Sequence, residues 1–196
     1  YGQQGYEDTL ANLDAVGVHY VEELKTVVFT TESGLTIGVY SDMMPTREAM
    51  NKLPEKIAQM RKDGAEIVVV AMHWGEEYYY WANYTQKKFA HDAIDAGADI
   101  VWGHHPHVLQ KIEKYNDGYI FYSLGNFLFE TETVEYQPWD AYANKGMPLD
   151  TKVGAYMDER SQNGTRGFAV QEWIWKSVMA GFTMEDGRIT QVQLYP

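Results

Sequence analysis

Four of the six histidines in this chain fall into two short segments: His73 and the run His104-His105-Pro106-His107. Imidazole is the commonest metal ligand among side chains, and it is the one whose proton moves nearest neutral pH. Grouped rings therefore point to metal binding or to acid–base chemistry. His105-Pro106-His107 has its own logic, because in an extended backbone residues two apart face the same side. Proline also steers the residue before it away from the helical region, so two imidazoles could converge on one centre. Hydrogen-bonded turn residues are the competing reading for one histidine, and four in one place favour a site. Glu76 and Glu77 follow His73. A carboxylate that orients a ligand imidazole is a common supporting device, which makes Glu76 a candidate for that role, with a solvated loop charge as its alternative. Tyr78-Tyr79-Tyr80-Trp81 is either a substrate platform or packing over the loop. His91, beside Phe89, Ala90, Ala93 and Ile94, and the isolated His19 are assigned no function.

The surrounding residues predict how these groups are positioned. Residues 67–72 are continuously apolar, as in a strand covered on both faces. A helix is expected over 85–96, ended by Gly97, and a second buried strand over 99–103. Strand, helix and strand in that order form a βαβ unit with parallel strands. His73 and the cluster 104–107 then project from the same edge, where open α/β sheets place their ligands. Gly103 permits close backbone approach where the second strand breaks off.

Elsewhere the pattern predicts a helix over 6–16, with Leu10, Leu13 and Val16 near one face and Gly17 as its stop. A hairpin is expected over 25–31 and 35–41, and a helix over 54–63 with Pro54 in its first turn and Gly64 closing it. A further strand is expected over 119–123 after the turn Asn116-Asp117-Gly118. The polar stretch 140–167 reads as a long loop or insertion, and 173–184 with 188–194 as a terminal hairpin. The class is α/β with mixed sheets, in a single domain over 1–196.

Composition narrows the chemistry. The chain has 196 residues, and 16 lysines and arginines against 28 aspartates and glutamates give a formal net charge of −12. That balance opposes nucleic-acid binding and unaided docking on anionic membranes. No apolar run approaches the roughly 18 residues that a spanning helix needs. The absence of cysteine excludes disulfides, thiolate metal sites and cysteine nucleophiles. Any metal must be held by histidine, carboxylate or amide groups. No G-x-S-x-G elbow and no G-x-x-x-x-G-K-[ST] loop occurs. An amidohydrolase barrel would carry its H-x-H pair on the first strand of about 250 residues, whereas here the pair lies mid-chain in a shorter sequence.

Three segments taken together carry a resemblance. They are His73-Trp74-Gly75-Glu76-Glu77-Tyr78, the run from Asp95 through Gly103-His104-His105-Pro106-His107 to Gln110, and Phe121-Tyr122-Ser123-Leu124-Gly125-Asn126-Phe127. In order and spacing they resemble the CapA family of bacterial capsule (poly-γ-glutamate) biosynthesis proteins, whose fold is that of the calcineurin-like metallophosphoesterases. The resemblance implies an α/β/β/α sandwich with mixed sheets and a metal site at the strand ends. His73 matches the superfamily's lone histidine ligand, and Gly-His-His-Pro-His matches its G-H-x-H ligand pair. Whether His104 or His105 pairs with His107 stays open. The spacing favours His105, which leaves His104 as a proton donor or phosphate contact. Asn126 matches the S-L-G-N-F motif, with a role at the site floor.

The resemblance further implies a divalent transition metal (Mn, Fe or Zn), two in the complete parent. The superfamily's early ligands, an aspartate and an asparagine–histidine pair, are expected before Tyr1 together with the N-terminal strands, so this piece alone is expected to be inactive. The expected chemistry is attack of metal-activated water on a phosphoester or a related acyl or glutamyl bond. The alternative is a non-enzymatic assembly or export factor that grips an anionic polymer. Expected partners are that polymer or a phosphoester, the capsule synthesis machinery, and a second copy paired through exposed sheet edges. The expected location, from the resemblance, is extracytoplasmic at the cell surface.

Overall fold

The computed structural model describes residues 2–128, 134–185 and 187–196. A six-stranded sheet carries the site. Its strands are β1 (Thr26–Thr30), β2 (Thr36–Asp42), β3 (Ile67–His73), β4 (Ile100–His104), β5 (Ile112–Tyr115) and β6 (Gly118–Phe121), in the order β1-β2-β3-β4-β6-β5. The four central strands run parallel, and β1 and β5 pair antiparallel at the edges. The expected mixed α/β class is what the chain forms.

Alternation along the strands sorts residues to two faces. Val68, Val70 and Met72 of β3, Val101 of β4 and Ile120 of β6 join Leu53, Ile57, Met60, Phe89, Ala90 and Ala93 in one core. The latter come from α2 (Arg47–Lys62) and α3 (Tyr84–Asp95), which cover this face. On the other face Ile67, Ile100 and Phe121 pack against Ala180, Met184, Ile189 and Val192. Those four belong to the hairpin of β7 (Met179–Glu185) and β8 (Arg188–Tyr195). By the same parity His73 and His104 belong to the hairpin side of the sheet, next to the half-exposed Trp102.

Several elements differ from the sequence reading, each for a visible reason. Helix α2 begins at Arg47, so Pro54 sits inside it rather than in its first turn. Thr46 caps the start by accepting from the Ala49 N–H at 3.1 Å, and burial of Ala49, Leu53, Ile57 and Met60 outweighs the backbone bond that proline cannot make. Helix α1 (Gly2–Ala15) buries none of its residues, and Val16 lies beyond it, exposed. Strand β5 escaped the sequence reading. It is the first arm of a hairpin whose two-residue loop, Asn116-Asp117, takes a positive φ at Asn116.

Residues 140–167 are not loop throughout. Helices α4 (Trp139–Ala143) and α5 (Val153–Ser161) bury Tyr142, Val153, Tyr156 and Met157 against one another. Part of the expected strand 173–184 is instead a 3₁₀ turn, Glu172–Trp175, which buries Ile174. Among the described residues no helix is long and apolar enough to cross a membrane.

The strand ends are locked at Gly103. The Trp74 indole Nε1 donates to the Tyr122 carbonyl at 3.0 Å, and a Cβ on Gly103 would collide with both partners. Overpacking of this kind costs about 1–3 kcal/mol. Gly103→Ala is therefore expected to lower the denaturant midpoint without changing the slope, whereas Gly154→Ala, in open space within a helix and at an ordinary φ, is not expected to lower it.

Candidate metal centre

The parallel register of β3 and β4 sets His73 directly opposite His104. Their Nδ1 atoms lie 3.1 Å apart. One must donate and the other accept, so the pair carries a single proton between these two nitrogens. The pKa of each ring is lowered from its ordinary value, first by desolvation and then by neighbouring imidazoles. Both effects favour neutral rings, the form in which imidazole binds a metal.

Beyond β4 the backbone turns sharply. The expected extended His105-Pro106-His107 does not occur, because His105 has φ 100° and His107 has φ 57°. Tyr78, across the crevice, has φ 65°. Each left-handed non-glycine residue costs about 1–3 kcal/mol and persists only where its surroundings impose it. Here the two loops are stitched together: Trp74 N–H donates to the His104 carbonyl at 3.1 Å, and Tyr78 N–H to the Pro106 carbonyl at 2.7 Å. The turn still brings the rings together, by a route other than strand alternation. The His73 and His105 centroids are 4.3 Å apart, and those of His105 and His107 are 6.1 Å apart.

The carboxylate that joins them is Glu77. Ligand atoms of Glu77, His105 and His107 all lie within 4.8 Å of one another, a spacing that one ion can bridge after small rotations. Of the pairings left open by the sequence, His105 with His107 is the one that converges, while His104 pairs with His73. Glu76 instead lines a shallow pocket with Tyr79, Trp81 and Gln86. A one-residue choice within a loop has no periodicity to settle it, which is why the sequence did not separate Glu76 from Glu77. Tyr79, Tyr80 and Trp81 are exposed rather than packed over the loop. The Tyr78 phenol is held above its usual pKa by burial and by Glu77, with Arg160 pulling the other way.

Asn126 orients His107. Its amide nitrogen donates to the Ile174 carbonyl at 2.8 Å, which turns its Oδ1 toward His107 Nδ1 at 2.7 Å. The proton then resides on Nδ1 and the lone pair on Nε2. Nothing in the sequence signals Ile174 as part of this arrangement, because its backbone carbonyl does the work. His91 and His19 lie outside the site: His91 meets Glu113 at 3.3 Å and stacks on Tyr115, and His19 stacks on Phe29.

Residues 1–131 match the family described as bacterial capsule synthesis protein PGA_cap. The chain belongs to this family. With it comes the metallophosphoesterase-like fold, of which the layers described above are part. The chain is 42% identical over 150 residues to the PGA biosynthesis protein CapA of Bacillus subtilis, covering 66% of this chain and 40% of that protein. It is 38% identical over 153 residues to the capsule biosynthesis protein CapA of Bacillus anthracis, covering 66% and 37%. A probable polyglutamine synthesis accessory protein of Mycobacterium tuberculosis is 32% identical over 164 residues, covering 68% and 43%. The chain thus spans about two fifths of the length of these relatives. The family match takes in every histidine of the cluster and Asn126, and it stops short of α4 and α5.

The tautomer assignment has a direct check. Nitrogen-correlated NMR of the imidazoles is expected to show His107 protonated at Nδ1 in the native chain. In Asn126→Leu, the Nε2-protonated form should appear.

Proposed function

We propose that this chain carries the metal centre of a capsule poly-glutamate biosynthesis protein, and that the centre is hydrolytic. The observation that carries this reading is the convergence of Glu77, His105 and His107 at the C-terminal edge of parallel strands, in a chain of the capsule synthesis family. Two imidazole nitrogens and a carboxylate oxygen fit Mn, Fe or Zn, and they leave coordination positions open for substrate and water. When bound, such a metal supplies Lewis-acid activation of water and neutralises developing negative charge.

The chain's own residues supply the rest. Asn126 fixes the His107 ring with Nε2 as its ligand atom. His73 lies against both His104 and His105 and completes the group. His104, at the strand end and bonded to His73, rests neutral, and is the group that takes up a proton from the attacking water and then delivers it to a leaving oxygen or nitrogen. The names of the relatives support an accessory role in poly-glutamate synthesis, and with that role the proposed location of the working protein is the cell surface.

Elemental analysis tests the centre without relying on turnover. The native chain is expected to retain a divalent transition metal after dialysis, and His105→Ala/His107→Ala is expected to lose it. Equal metal content in both would overturn the assignment. If the metal-loaded chain also cleaves a chromogenic phosphodiester, His104→Gln should slow it by about 100-fold or more while keeping the metal. Bound metal without turnover would turn the reading to a site that binds polymer and does not cut it.

A further inference from the structure

Helix α5 and the segment after it form a cleft of about 350 Å³ whose wall includes Lys145, Arg160, Arg166, Phe168 and Trp175. Three cations on one cleft stand out in a chain of net charge −12. Among the described residues, no carboxylate lies within ion-pair distance of Arg160 or Arg166. Lys145 has only a loose contact, 3.8 Å to the exposed Glu159. Acidic residues outnumber basic ones, so two arginines without a carboxylate partner among the described residues, grouped with a loosely paired lysine, form a local positive field that a bound anion would relieve.

The cleft is shaped rather than merely charged. The Arg160 guanidinium lies 4.9 Å from the centre of the Phe168 ring, which holds the fork in one orientation. The Trp175 indole donates to the Phe168 carbonyl at 2.9 Å and fixes the aromatic wall. A planar guanidinium in a set orientation matches the two oxygens of a carboxylate, and Arg does this better than Lys.

The cleft is also joined to the histidine centre. Asn126, which holds His107, donates to the carbonyl of Ile174, the residue before Trp175. Arg160 is close enough to act electrostatically on Tyr78, whose ring centre is 6.3 Å from that of His107. All five cleft residues lie beyond the family match, so the match itself assigns them nothing.

We propose that the cleft between α5 and Trp175 is an oxyanion-binding subsite that seats carboxylates of an acidic polymer chain beside the histidine centre. The ligand's identity as a carboxylate polymer rests on the capsule reading above, whereas the site itself rests on two arginines that have no carboxylate partner among the described residues and on their aromatic support. It also answers a difficulty of charge: an acidic protein repels an acidic polymer unless positive charge is concentrated where they meet.

The test is titration of a fluorescent γ-linked glutamate decamer into metal-free chain, followed by anisotropy. Binding is expected to weaken as salt rises and to fall at least tenfold in Arg160→Gln/Arg166→Gln. Arg166→Gln alone, at an exposed position, should weaken it in part, which separates ligand loss from misfolding. Lys52→Gln/Lys88→Gln, which removes the same charge elsewhere, should leave it unchanged. Retained affinity in the arginine double variant, or no binding at all, would overturn the proposal. So would displacement of the decamer by inorganic phosphate at concentrations below those at which the decamer itself saturates, because the site would then take a phosphoester. His105→Ala/His107→Ala is expected to bind the decamer normally. Metal content in that variant equal to the native chain's, with decamer binding intact, would overturn the centre alone, and a native chain that retains metal but does not bind the decamer would overturn the cleft alone.

Discussion

The hydrogen bond from the Trp74 indole to the Tyr122 carbonyl, laid across Gly103, is the constraint on which the arrangement of the site depends. It ties the residues that follow β3 and β6 over the end of β4, so the three strands finish in a fixed relation. Only glycine at 103 lets them approach so closely. His73 and His104 inherit their opposition from that register. The chain beyond β4 then has no room to continue as a strand, and it turns through two left-handed histidines pinned by the loop 74–78. Backbone strain at His105 and His107 is thus stored where ligand direction matters, and the buried indole of Trp74, next to His73 in sequence, helps to hold it there.

Much of this was legible in the sequence, and the physical reasons are specific. Residues 67–72 and 100–103 are apolar on both faces because helices cover one side of the sheet and the β7–β8 hairpin covers part of the other. That pattern has few alternatives at such a length. The histidine cluster followed directly from the ends of those strands. The conformation that makes the cluster converge did not, since positive φ at His105 has no signature beyond the proline after it. Pro54 misled the placement of α2 because a buried apolar face can override a local breaker. The helices in 140–167 were hidden for the opposite reason: their small core of Tyr142, Val153, Tyr156 and Met157 is too short to show a period. Asn126 was visible as a motif residue, but its partner at Ile174 is a backbone carbonyl and leaves no mark on the sequence.

The two proposed sites differ in how they are built. The histidine centre sits on the ends of regular strands and takes its precision from the sheet. The basic cleft sits on short helices and 3₁₀ turns after the sheet is complete, and is held by Arg160 on Phe168 and by Trp175 on the Phe168 carbonyl. Asn126 belongs to both, holding His107 through one end of its amide and residue 174 through the other. Charge is divided in the same way: the chain as a whole is acidic, while cations gather where an acidic polymer would lie against it.

The central claim is that one ion is held by two imidazoles and a carboxylate at this strand edge. X-ray absorption at the metal edge of the zinc-loaded chain measures that shell directly. The account predicts the scattering of two imidazole rings with nitrogen at about 2.0–2.1 Å, together with carboxylate oxygen. It also predicts that Glu77→Gln alters the oxygen part while both rings remain. A shell made only of oxygen would contradict it, because the ion would then lie among surface carboxylates and the histidines would serve some other purpose.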